Sequence, residues 1–410
     1  MSYVNLRSRP DPDSNIIATF LVGAPHLREA AESIAAESSI GTWTDIATMK
    51  PRVKRKLGAV VFDIRKNGIM RIAYPIDLFE PGNIPQLLSD IAGNIFGMKG
   101  VNTLKLLDFS APPEYINTFD GPAFGMENIR KYMGTNKTRR PHVGTIVKPK
   151  VGLNPRETAE VAYDAWAGGI DFVKDDENLC DQHFCPFEKR VLTVLDAADR
   201  AEEETGEKKL YAANITGPAD KMLDRAEFVL EHGGKCIMID VITAGFSALQ
   251  FIRSQNLKLM IHAHRAMYAA FSRNKRHGIA FLPMARLCRM GGADQLHIGT
   301  VVGKMVGEEK EVKEAHAAIN GKMGNLLPAF SVCSGGLSPD KVPALMRILG
   351  NDIVIQAGGG IHGHPKGTRA GAAAIRQAVE ASMLRINLNE YAKDHRELRE
   401  ALLKWPLKKL

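Results

Sequence analysis

Residues 142–177, HVGTIVKPKVGLNPRETAEVAYDAWAGGIDFVKDDE, hold a short β-branched run, a helical segment and a second short run. Such runs alternate with helical segments through the rest of the chain, which is typical of repeated βα units. There are eight: HVGTIVKPK, GIDFVKDDE, LYAANIT, CIMIDVI, LKLMIHAHR, DQLHIGTVV, AFSVCSGG and DIVIQAGGG. Eight βα units in roughly 250 residues predict a closed (β/α)8 barrel. An open doubly wound sheet is the alternative, but its first-turn glycine fingerprint is absent.

The residues before the barrel mix both kinds of element. HLREAAESIAAE has helical spacing, AVVFDIR and GIMRIAYPI have the character of strands, and IPQLLSDIAGNIF is helical again. A polar, proline-containing stretch at 131–143 indicates a seam between domains. We therefore predict an α/β protein in which a smaller α+β, ferredoxin-like domain (1–125) precedes a TIM barrel domain with C-terminal helices (126–410).

The composition sets limits on the function. The chain has 410 residues, of which 45% are hydrophobic and 24% charged, enough to bury a large core. A formal net charge of +8 suits an anionic partner, but basic patches with interleaved aromatic residues, typical of nucleic-acid binding, are absent. The five scattered cysteines lack a CxxC pair, and the sequence shows neither a signal peptide nor a membrane span. We expect a cytoplasmic enzyme with no nucleic-acid or membrane partner.

Polar residues cluster where the predicted strands end. Active sites of (β/α)8 barrels lie at the carboxyl ends of their strands. Six of the eight runs end in polar or glycine-rich sequence: Lys148, Lys150, Lys174, Asp176, Glu177, His264, Arg265, His297, Ser334, Gly335, Gly336, Gly358 and Gly359. One strand-end lysine is more often a solvated rim residue, but this many together predict a catalytic site.

The densest cluster is KDDE at 174–177. The period of two along a strand would put Lys174 and Asp176 on one face, and a turn would bring Glu177 beside them. Two such carboxylates suit Mg²⁺, which keeps few protein ligands. An exposed acidic turn is the alternative. If desolvation lowers the pKa of Lys174, its neutral amine can react with CO2 to form a carbamate, a third oxygen ligand.

Lys148 and Lys150 also share a face by the same period, with a stiffening proline between them. Two converging ammonium groups lower each other's pKa. One could then act as a general acid or base while the other holds a substrate oxygen or phosphate. A pair of solvated rim lysines is the alternative.

Four other strand ends suit phosphate. Arg265 can bind phosphate through paired hydrogen bonds, and His297 is a candidate phosphate or hydroxyl contact, with a buried structural histidine as the alternative. The segments SGG (334–336) and GGG (358–360) follow the seventh and eighth runs, where barrels often hold phosphate on backbone N–H groups. Phosphate sites on both sides of a magnesium centre predict enolisation of a sugar bisphosphate.

These motifs, in this order, resemble the large subunit of ribulose-bisphosphate carboxylase/oxygenase (RuBisCO). The likeness rests on GTIVKPKVGL, GGIDFVKDDEN, IHAHRAM, HIGTVVGK, SGG and IQAGGGIHGHP, and on the N-terminal AAESSIGTWT and AGNIFGMKG. It covers nearly the whole chain. AESSIGTWT and GTIVKPKVGL are most similar to the archaeal form III enzymes.

The resemblance implies a role for each strand-end residue. The catalytic residues would be Lys148, Lys174, His264 and Lys304, the last in a mobile loop that closes over the site. The Mg²⁺ ligands would be Lys174, as a carbamate formed with activating CO2, Asp176 and Glu177. The substrate contacts in the barrel would be Lys150, Arg265, His297, Ser334, Gly335, Gly336, Gln356, Gly358 and Gly359.

Members of this family complete each site with the N-terminal domain of a neighbouring subunit. The residues supplied would be Glu37, Thr42, Trp43 and Asn94. The resemblance therefore implies a homodimer, or a higher homo-oligomer of dimers, without a small subunit. Val306 stands where the family usually has glutamate, two residues after the loop lysine. This departure bears on loop closure and on discrimination between CO2 and O2.

The implied function is the Mg²⁺-dependent enolisation and carboxylation of ribulose 1,5-bisphosphate to 3-phosphoglycerate. Oxygenation by O2 would be a side reaction, and salvage of nucleoside monophosphates the physiological role. One alternative is a RuBisCO-like enolase or isomerase of another phosphorylated sugar, although such relatives typically replace several site residues that are present here. A noncatalytic basic oligomer that binds anionic polymers is a second alternative, which the intact metal triad disfavours.

Overall fold

The computed structural model describes residues 2–42, 44, 46–302 and 309–407. Trp43, Lys304 and Val306 lie outside the described residues. The strands of the described part are β1 (Asn15–Gly23), β2 (Val60–Ile64), β3 (Ile69–Pro75), β4 (Thr103–Ser110), β5 (His142–Ile146), β6 (Phe172–Lys174), β7 (Leu210–Asn214), β8 (Cys236–Asp240), β9 (Met260–His264), β10 (Gly278–Ile279), β11 (Gln295–Gly299), β12 (Phe330–Ser334) and β13 (Ile353–Gln356).

The α-helices of the same residues are α1 (Leu27–Glu37), α2 (Pro51–Leu57), α3 (Ile84–Ile91), α4 (Pro113–Ile116), α5 (Gly125–Tyr132), α6 (Pro155–Ala167), α7 (Phe187–Thr205), α8 (Ala219–Glu231), α9 (Phe246–Ser254), α10 (Tyr268–Ser272), α11 (Phe281–Met290), α12 (Glu309–Asn320), α13 (Val342–Leu349), α14 (Gly359–His362), α15 (Gly367–Met383), α16 (Leu388–Tyr391) and α17 (Arg396–Lys404). None of the described helices is both long enough and apolar enough to cross a bilayer.

One compact unit combines the chain up to Gly121 with Met267–Gly291 and Lys322–Leu326. Its sheet has the order β10-β4-β1-β3-β2. Strand β1 runs antiparallel to β3 and β4, and β10 runs parallel to β4. Helix α1 buries an alanine- and isoleucine-rich stripe at helical spacing: Ala30, Ala31, Ile34 and Ala35. This α+β arrangement confirms the predicted class of the N-terminal part.

In this unit, α1, β2, β3 and α3 are predicted from the sequence, whereas β1, β4 and β10 are not. Strand β1, NIIATFLVG, is a nearly continuous apolar run, and periodicity alone does not distinguish such a run from a buried helix. Strand β10 has two residues, which is too short for any periodic signal. Its pairing with β4 depends on tertiary structure.

The second compact unit contains Pro122–Ala266, Gly292–Gly321 and the chain from Leu327 onward. Its eight strands form a closed barrel in the order β5-β6-β7-β8-β9-β11-β12-β13, and β13 pairs with β5 to close the ring. All eight pairings are parallel. The predicted (β/α)8 barrel is therefore confirmed.

An apolar cluster fills the barrel at the amino ends of its strands. Helix α5 contributes Met126, Ile129 and Met133 from its apolar face and its C-cap. Inward-facing strand residues complete the cluster, among them Leu210, Cys236, Met260 and Phe330. Because this end is packed with apolar side chains, the polar strand-end residues gather at the opposite, carboxyl end.

The stretch 131–143, which the sequence analysis interprets as a seam, belongs to the barrel unit. Two of its arginines bind barrel carboxylates: Arg139 pairs with Asp352 at 3.0 Å, and Arg140 pairs with Asp171 at 2.6 Å. These two ion pairs fix the stretch to the barrel. A division of the chain between residues 125 and 126 remains our proposal.

Candidate active site

Lys174 is the last residue of β6 and is fully buried. Its Nζ donates to the backbone carbonyl of Asp175 at 2.8 Å and lies 3.5 Å from Met238 Sδ and 3.8 Å from Glu177 Oε2. Desolvation lowers the pKa of Lys174 despite the opposing effect of the surrounding carboxylates. The structure therefore places a buried amine beside a carboxylate at a strand end.

Asp176 and Glu177 follow the strand, because β6 ends at Lys174. The period-of-two argument that put Lys174 and Asp176 on one strand face is therefore wrong. A turn carries both carboxylates, and Asn178 donates from its backbone and side chain to Asp176 Oδ1 at 3.2 and 3.0 Å. Burial works to raise the pKa of Asp176, but hydrogen bonds from Lys148 and Asn178 hold it below its ordinary value.

The predicted lysine pair also lies beyond a strand, since β5 ends at Ile146. The shared strand face is again wrong, and the two lysines bind different carboxylates. Lys148 Nζ donates to Asp176 Oδ2 at 2.7 Å, whereas Lys150 Nζ lies 3.5 Å from Glu177 Oε1. The side chain of Lys148 is 28% exposed and that of Lys150 is 55% exposed. Lys148 is thus held inside the site and Lys150 at its rim.

His264 ends β9 and is oriented by a residue that the sequence analysis did not select. Its Nδ1 bonds to Asp240 Oδ1 at 2.8 Å, and its Nε2 lies 3.8 Å from Glu177 Oε2. The charges of Lys174 and His264 outweigh the desolvation that works to raise the pKa of Glu177, and hold that pKa below its ordinary value. Asp240 is the polar last residue of β8, so the strand-end rule could have found it.

A chain of hydrogen bonds runs through the buried histidines. His262 contacts Gln295 Oε1 through Nδ1 and His297 Nε2 through Nε2. His297 Nδ1 in turn contacts Ser334 Oγ. Each of these three contacts is 2.8 Å long. Burial lowers the pKa of both histidines well below the ordinary value, so each is neutral and has one donor and one acceptor. If the Gln295 oxygen accepts from His262 Nδ1, then His262 Nε2 must accept from His297 Nε2. His297 Nδ1 must then accept the hydroxyl hydrogen of Ser334. The lone pairs of Ser334 are then left to accept from another group.

Arg265 follows β9, and its guanidinium lies against Gly299 at the end of β11. A Cβ on Gly299 would stand 2.7 Å from Arg265 Nη2. The SGG turn after β12 needs glycine for another reason, because Gly335 and Gly336 have φ of 121° and 77°. These glycines allow the backbone to turn sharply beside Ser334.

Gln356, at the end of β13, is buried, and both polar atoms of its side chain lack a hydrogen-bond partner among the described residues. An unpaired buried amide costs free energy, which a bound polar ligand or water can offset. Gly358 follows two residues later and precedes the one-turn helix α14, which begins at Gly359. A Cβ on Gly358 would lie 3.5 Å from Lys148 Cε. Strand β13 therefore brings Gln356, Gly358 and the stem of Lys148 into one region.

The N-terminal candidates Glu37, Thr42 and Asn94 belong to the other compact unit. Glu37 and Asn94 line a cavity of about 240 Å³ together with Ser38, Ser89, Asp90, Gly93 and Ile95. Burial raises the pKa of Asp90 there to about 6. The structure thus brings Glu37 and Asn94 together, while Trp43 and Lys304 lie outside the described residues.

The described residues contain no group of three His, Cys, Asp or Glu side chains arranged to hold a metal ion. Lysines and a histidine surround Asp176 and Glu177 instead, at 2.7 to 3.8 Å. Two neighbouring carboxylates supply hard oxygen donors, and the amine of Lys174 lies where a third could be made by reaction with CO2. This donor set fits Mg²⁺ if the cations move aside.

Comparison with known proteins covers both parts of the chain. The family model for the ribulose bisphosphate carboxylase large chain, N-terminal domain, matches residues 2–115. The model for the catalytic domain of the same large chain matches residues 125–405.

Individual relatives are similar over nearly their full length. The ribulose bisphosphate carboxylase of Methanocaldococcus jannaschii is 47% identical over 99% of this chain and 100% of its own. That of Pyrococcus abyssi is 48% identical over 99% of this chain and 96% of its own. Among solved structures, the octameric enzyme of Pyrococcus horikoshii with sulfate has a TM-score of 0.95 at 47% identity, covering 100% and 97% of the two chains. The dimeric archaeal enzyme of Hyperthermus butylicus has a TM-score of 0.93 at 43% identity, covering 99% of each.

Proposed function

Because this chain belongs to the family of ribulose bisphosphate carboxylase large chains, and to its archaeal type, we propose that it carboxylates ribulose 1,5-bisphosphate. The reaction would form an enediolate, add CO2 and then water, and yield two molecules of 3-phosphoglycerate, with O2 as a competing substrate. The observation that carries the proposal is the buried amine of Lys174, 3.8 Å from Glu177 Oε2 and next to the turn that holds Asp176.

We assign the metal site to Lys174, Asp176 and Glu177. Lys174 would contribute as a carbamate formed with CO2, which requires a neutral amine, and burial favours that form. A third ligand made from lysine agrees with the finding that no three His, Cys, Asp or Glu side chains of the described residues are arranged to hold a metal ion. When bound, Mg²⁺ would stabilise negative charge on the enediolate oxygens.

Proton transfer is assigned to Lys148 and His264. Lys148 Nζ is held 2.7 Å from Asp176 Oδ2, so a group that binds Asp176 would free Lys148 to act as an acid when protonated and as a base when neutral. His264 has its Nδ1 on Asp240, which leaves Nε2 facing the carboxylate cluster. Lys304 would complete the set, by the family resemblance.

Substrate binding is assigned to the remaining strand ends. Arg265 would bind one phosphate as a fork, and Lys150 at the rim would contact the substrate. With the Gln295 oxygen accepting from His262, the Ser334 hydrogen is directed to His297, so the Ser334 oxygen would accept a hydrogen bond from a substrate hydroxyl. The other contacts would be His297, Gly335, Gly336, Gln356, Gly358 and Gly359.

We further propose a homodimer, or an oligomer of dimers, without a small subunit. Solved relatives include an octamer and a dimer. Glu37, Thr42, Trp43 and Asn94 would each complete a site in the neighbouring subunit. A cytoplasmic location fits the free cysteines, four of which are buried, and the family resemblance suggests salvage of nucleoside monophosphates.

The proposal is tested with ribulose 1,5-bisphosphate, labelled CO2, bicarbonate and Mg²⁺. We expect acid-stable label in 3-phosphoglycerate from the wild type and none from Lys174→Ala. The matched control is Lys221→Ala, since Lys221 is a surface lysine that pairs with Asp224, and its side chain is 59% exposed. Label should be retained in this variant.

Two other outcomes distinguish the alternatives. If the substrate's C3 proton exchanges with solvent but no label is fixed, the protein is an enolase-type relative. If neither event occurs and the protein instead binds anionic polymers with strong salt dependence, the barrel site is not the functional site.

A further inference from the structure

Asp175 lies between two residues of the proposed metal site, and the function proposed above gives it no role. Its carboxylate is fully buried, and both oxygens accept hydrogen bonds. Oδ1 accepts from the Tyr211 hydroxyl at 2.7 Å. Oδ2 accepts from the backbone N–H of Asn214 at 2.9 Å and from Arg190 Nε at 3.2 Å. Asp175 is therefore fixed from two neighbouring elements, β7 and α7.

Arg190, in the first turn of α7, is also fully buried and uses all three of its nitrogens. Nη1 donates to the carbonyl of Cys185 at 2.8 Å, and Nη2 donates to the carbonyl of Cys180 at 2.6 Å. Both carbonyls belong to the segment that joins Glu177 to α7. One guanidinium thus connects Asp175 to the segment that follows the metal-site turn.

The main chain around Asp175 carries the proposed metal ligands. The carbonyl of Asp175 accepts from Lys174 Nζ at 2.8 Å. The carbonyls of Asp176 and Glu177 each lie 3.4 Å from the side-chain nitrogen Nδ2 of Asn214. The backbone N–H of the same asparagine binds Asp175. A shift of Asp175 would therefore move the Lys174 amine and both carboxylates together.

Stability alone does not account for this ion pair. The desolvation of two charges offsets much of their attraction, so a buried pair is weak evidence for stability. A guanidinium whose nitrogens are all bonded does fix geometry, because its donors are planar and rigid. Ligands of a metal ion depend on such fixation by the residues behind them.

Resting on the metal site proposed above, we propose that Arg190 is a positioning residue for a hard divalent cation. Through Asp175 it holds the Lys174 amine and the Asp176–Glu177 turn in the arrangement that the cation requires. Arg190 itself contacts neither the cation nor the substrate.

The chain offers a matched control at the other end of the same strand. Asp171 immediately precedes β6 and is bound by Arg140 through two hydrogen bonds, of 2.7 and 2.6 Å. This pair is also buried, with side chains 11% and 2% exposed. Asp171 and Asp175 thus flank the three residues of β6, each bound to an arginine, but only Asp175 adjoins the metal-site turn.

The test compares Arg190→Lys with Arg140→Lys, since lysine keeps the positive charge and lacks the planar set of guanidinium donors. Binding of Mn²⁺ in the presence of bicarbonate is measured by the electron paramagnetic resonance of free Mn²⁺, and urea unfolding reports stability. Amide hydrogen exchange over 175–186 reports local order. We expect Arg190→Lys to weaken Mn²⁺ binding about 10- to 100-fold and to speed that exchange. Arg140→Lys should lower stability and leave Mn²⁺ affinity at the wild-type value.

Equal losses of Mn²⁺ affinity in the two lysine variants, or none in Arg190→Lys, would overturn the proposal. If Arg190→Lys does not fold, Asp175→Asn carries the test, because it keeps the size of the side chain and removes the charge that Arg190 Nε binds. It should weaken Mn²⁺ binding in the same direction, and an unchanged affinity overturns the proposal.

The labelled-CO2 assay separates this inference from the proposed reaction. A wild type that fixes CO2 while the two lysine variants bind Mn²⁺ equally would refute the positioning role alone. A wild type that fixes no CO2, but whose Mn²⁺ binding depends on Arg190, would refute the carboxylase reaction alone. A wild type that binds no Mn²⁺ overturns the metal site and the inference together.

Discussion

His264 Nδ1 lies 2.8 Å from Asp240 Oδ1, and this contact decides which ring nitrogen is left for chemistry. A carboxylate accepts from an N–H, so Nδ1 carries hydrogen, and Nε2 is directed to the region of Glu177 Oε2, 3.8 Å away. Asp240 thus fixes the orientation and the tautomer of the His264 ring, as hydrogen-bonded carboxylates commonly do for functional histidines.

Asp240→Asn should lower kcat for carboxylation about 10- to 100-fold with little change in KM. The amide can donate to Nδ1 as well as accept, so the imidazole loses its fixed tautomer while the packing stays the same. Steady-state kinetics with ribulose 1,5-bisphosphate measure the effect. Asp220→Asn, at an exposed position in α8, should keep wild-type kinetics. A kcat at the wild-type value in Asp240→Asn would remove Asp240 from the mechanism.

Gln295→Leu should raise KM for ribulose 1,5-bisphosphate and leave kcat close to wild type. The change removes the acceptor for His262 Nδ1, so the tautomers of both histidines are no longer set and Ser334 is free to turn its hydroxyl. An unpaired buried N–H should also lower the free energy of unfolding by about 1–3 kcal/mol. Histidine ¹⁵N chemical shifts read the tautomers directly. Unchanged shifts together with an unchanged KM would contradict this chain of hydrogen bonds. Gln255→Leu, at an exposed position, is the control.

Gly299→Ala should raise KM for the bisphosphate about tenfold, equivalent to about 1.4 kcal/mol of lost binding free energy. Its Cβ would come within 2.7 Å of Arg265 Nη2 and displace the guanidinium. Gly206→Ala is the matched control, because Gly206 also has positive φ, 68° against 90°, but a Cβ there meets nothing within 4 Å. Both variants should lose similar stability, and only Gly299→Ala should lose substrate affinity. Equal KM values would show that Arg265 does not bind the substrate.

The barrel and most of its polar rim could be predicted because the strand-end rule depends only on chain order. Each βα unit places its last strand residues at the same end of the barrel, so Lys174, His264 and Ser334 could be selected without knowing any contact. The rule extends equally to Asp240, although a single acid at the end of the run CIMID forms no motif of its own.

Contacts between side chains could not be predicted in the same way. The predicted strands run through Lys150 and Asp176, whereas β5 ends at Ile146 and β6 at Lys174, because β-branched periodicity does not indicate where strand pairing stops. The arginine that binds Asp175, Arg190, is fifteen residues away, in the first turn of α7. No local pattern marks Arg190 as buried, because an arginine in a helical segment is usually exposed.

The buried ring of His142, at the amino end of the barrel, should make the free energy of unfolding depend on pH. The ring is 2% exposed, bonds to Thr135 Oγ1 at 2.7 Å, and packs on Phe330. Burial lowers its pKa to about 4. The charged groups that act on it are Asp171, which favours the protonated ring, and Arg130, Arg140 and Arg376, which oppose it.

A histidine whose pKa is depressed by folding contributes stability that is present above its unfolded pKa and is lost as the pH falls toward the folded pKa. For His142 this window runs from about 6.5 down to about 4. His142→Gln removes the titration and can keep the bond to Thr135. The wild type should therefore lose roughly 2 kcal/mol more than the variant between about pH 7 and pH 5 in urea unfolding. His183→Gln, at an exposed position, should follow the wild type. Parallel pH profiles for wild type and His142→Gln would show that His142 does not stay neutral in the folded protein.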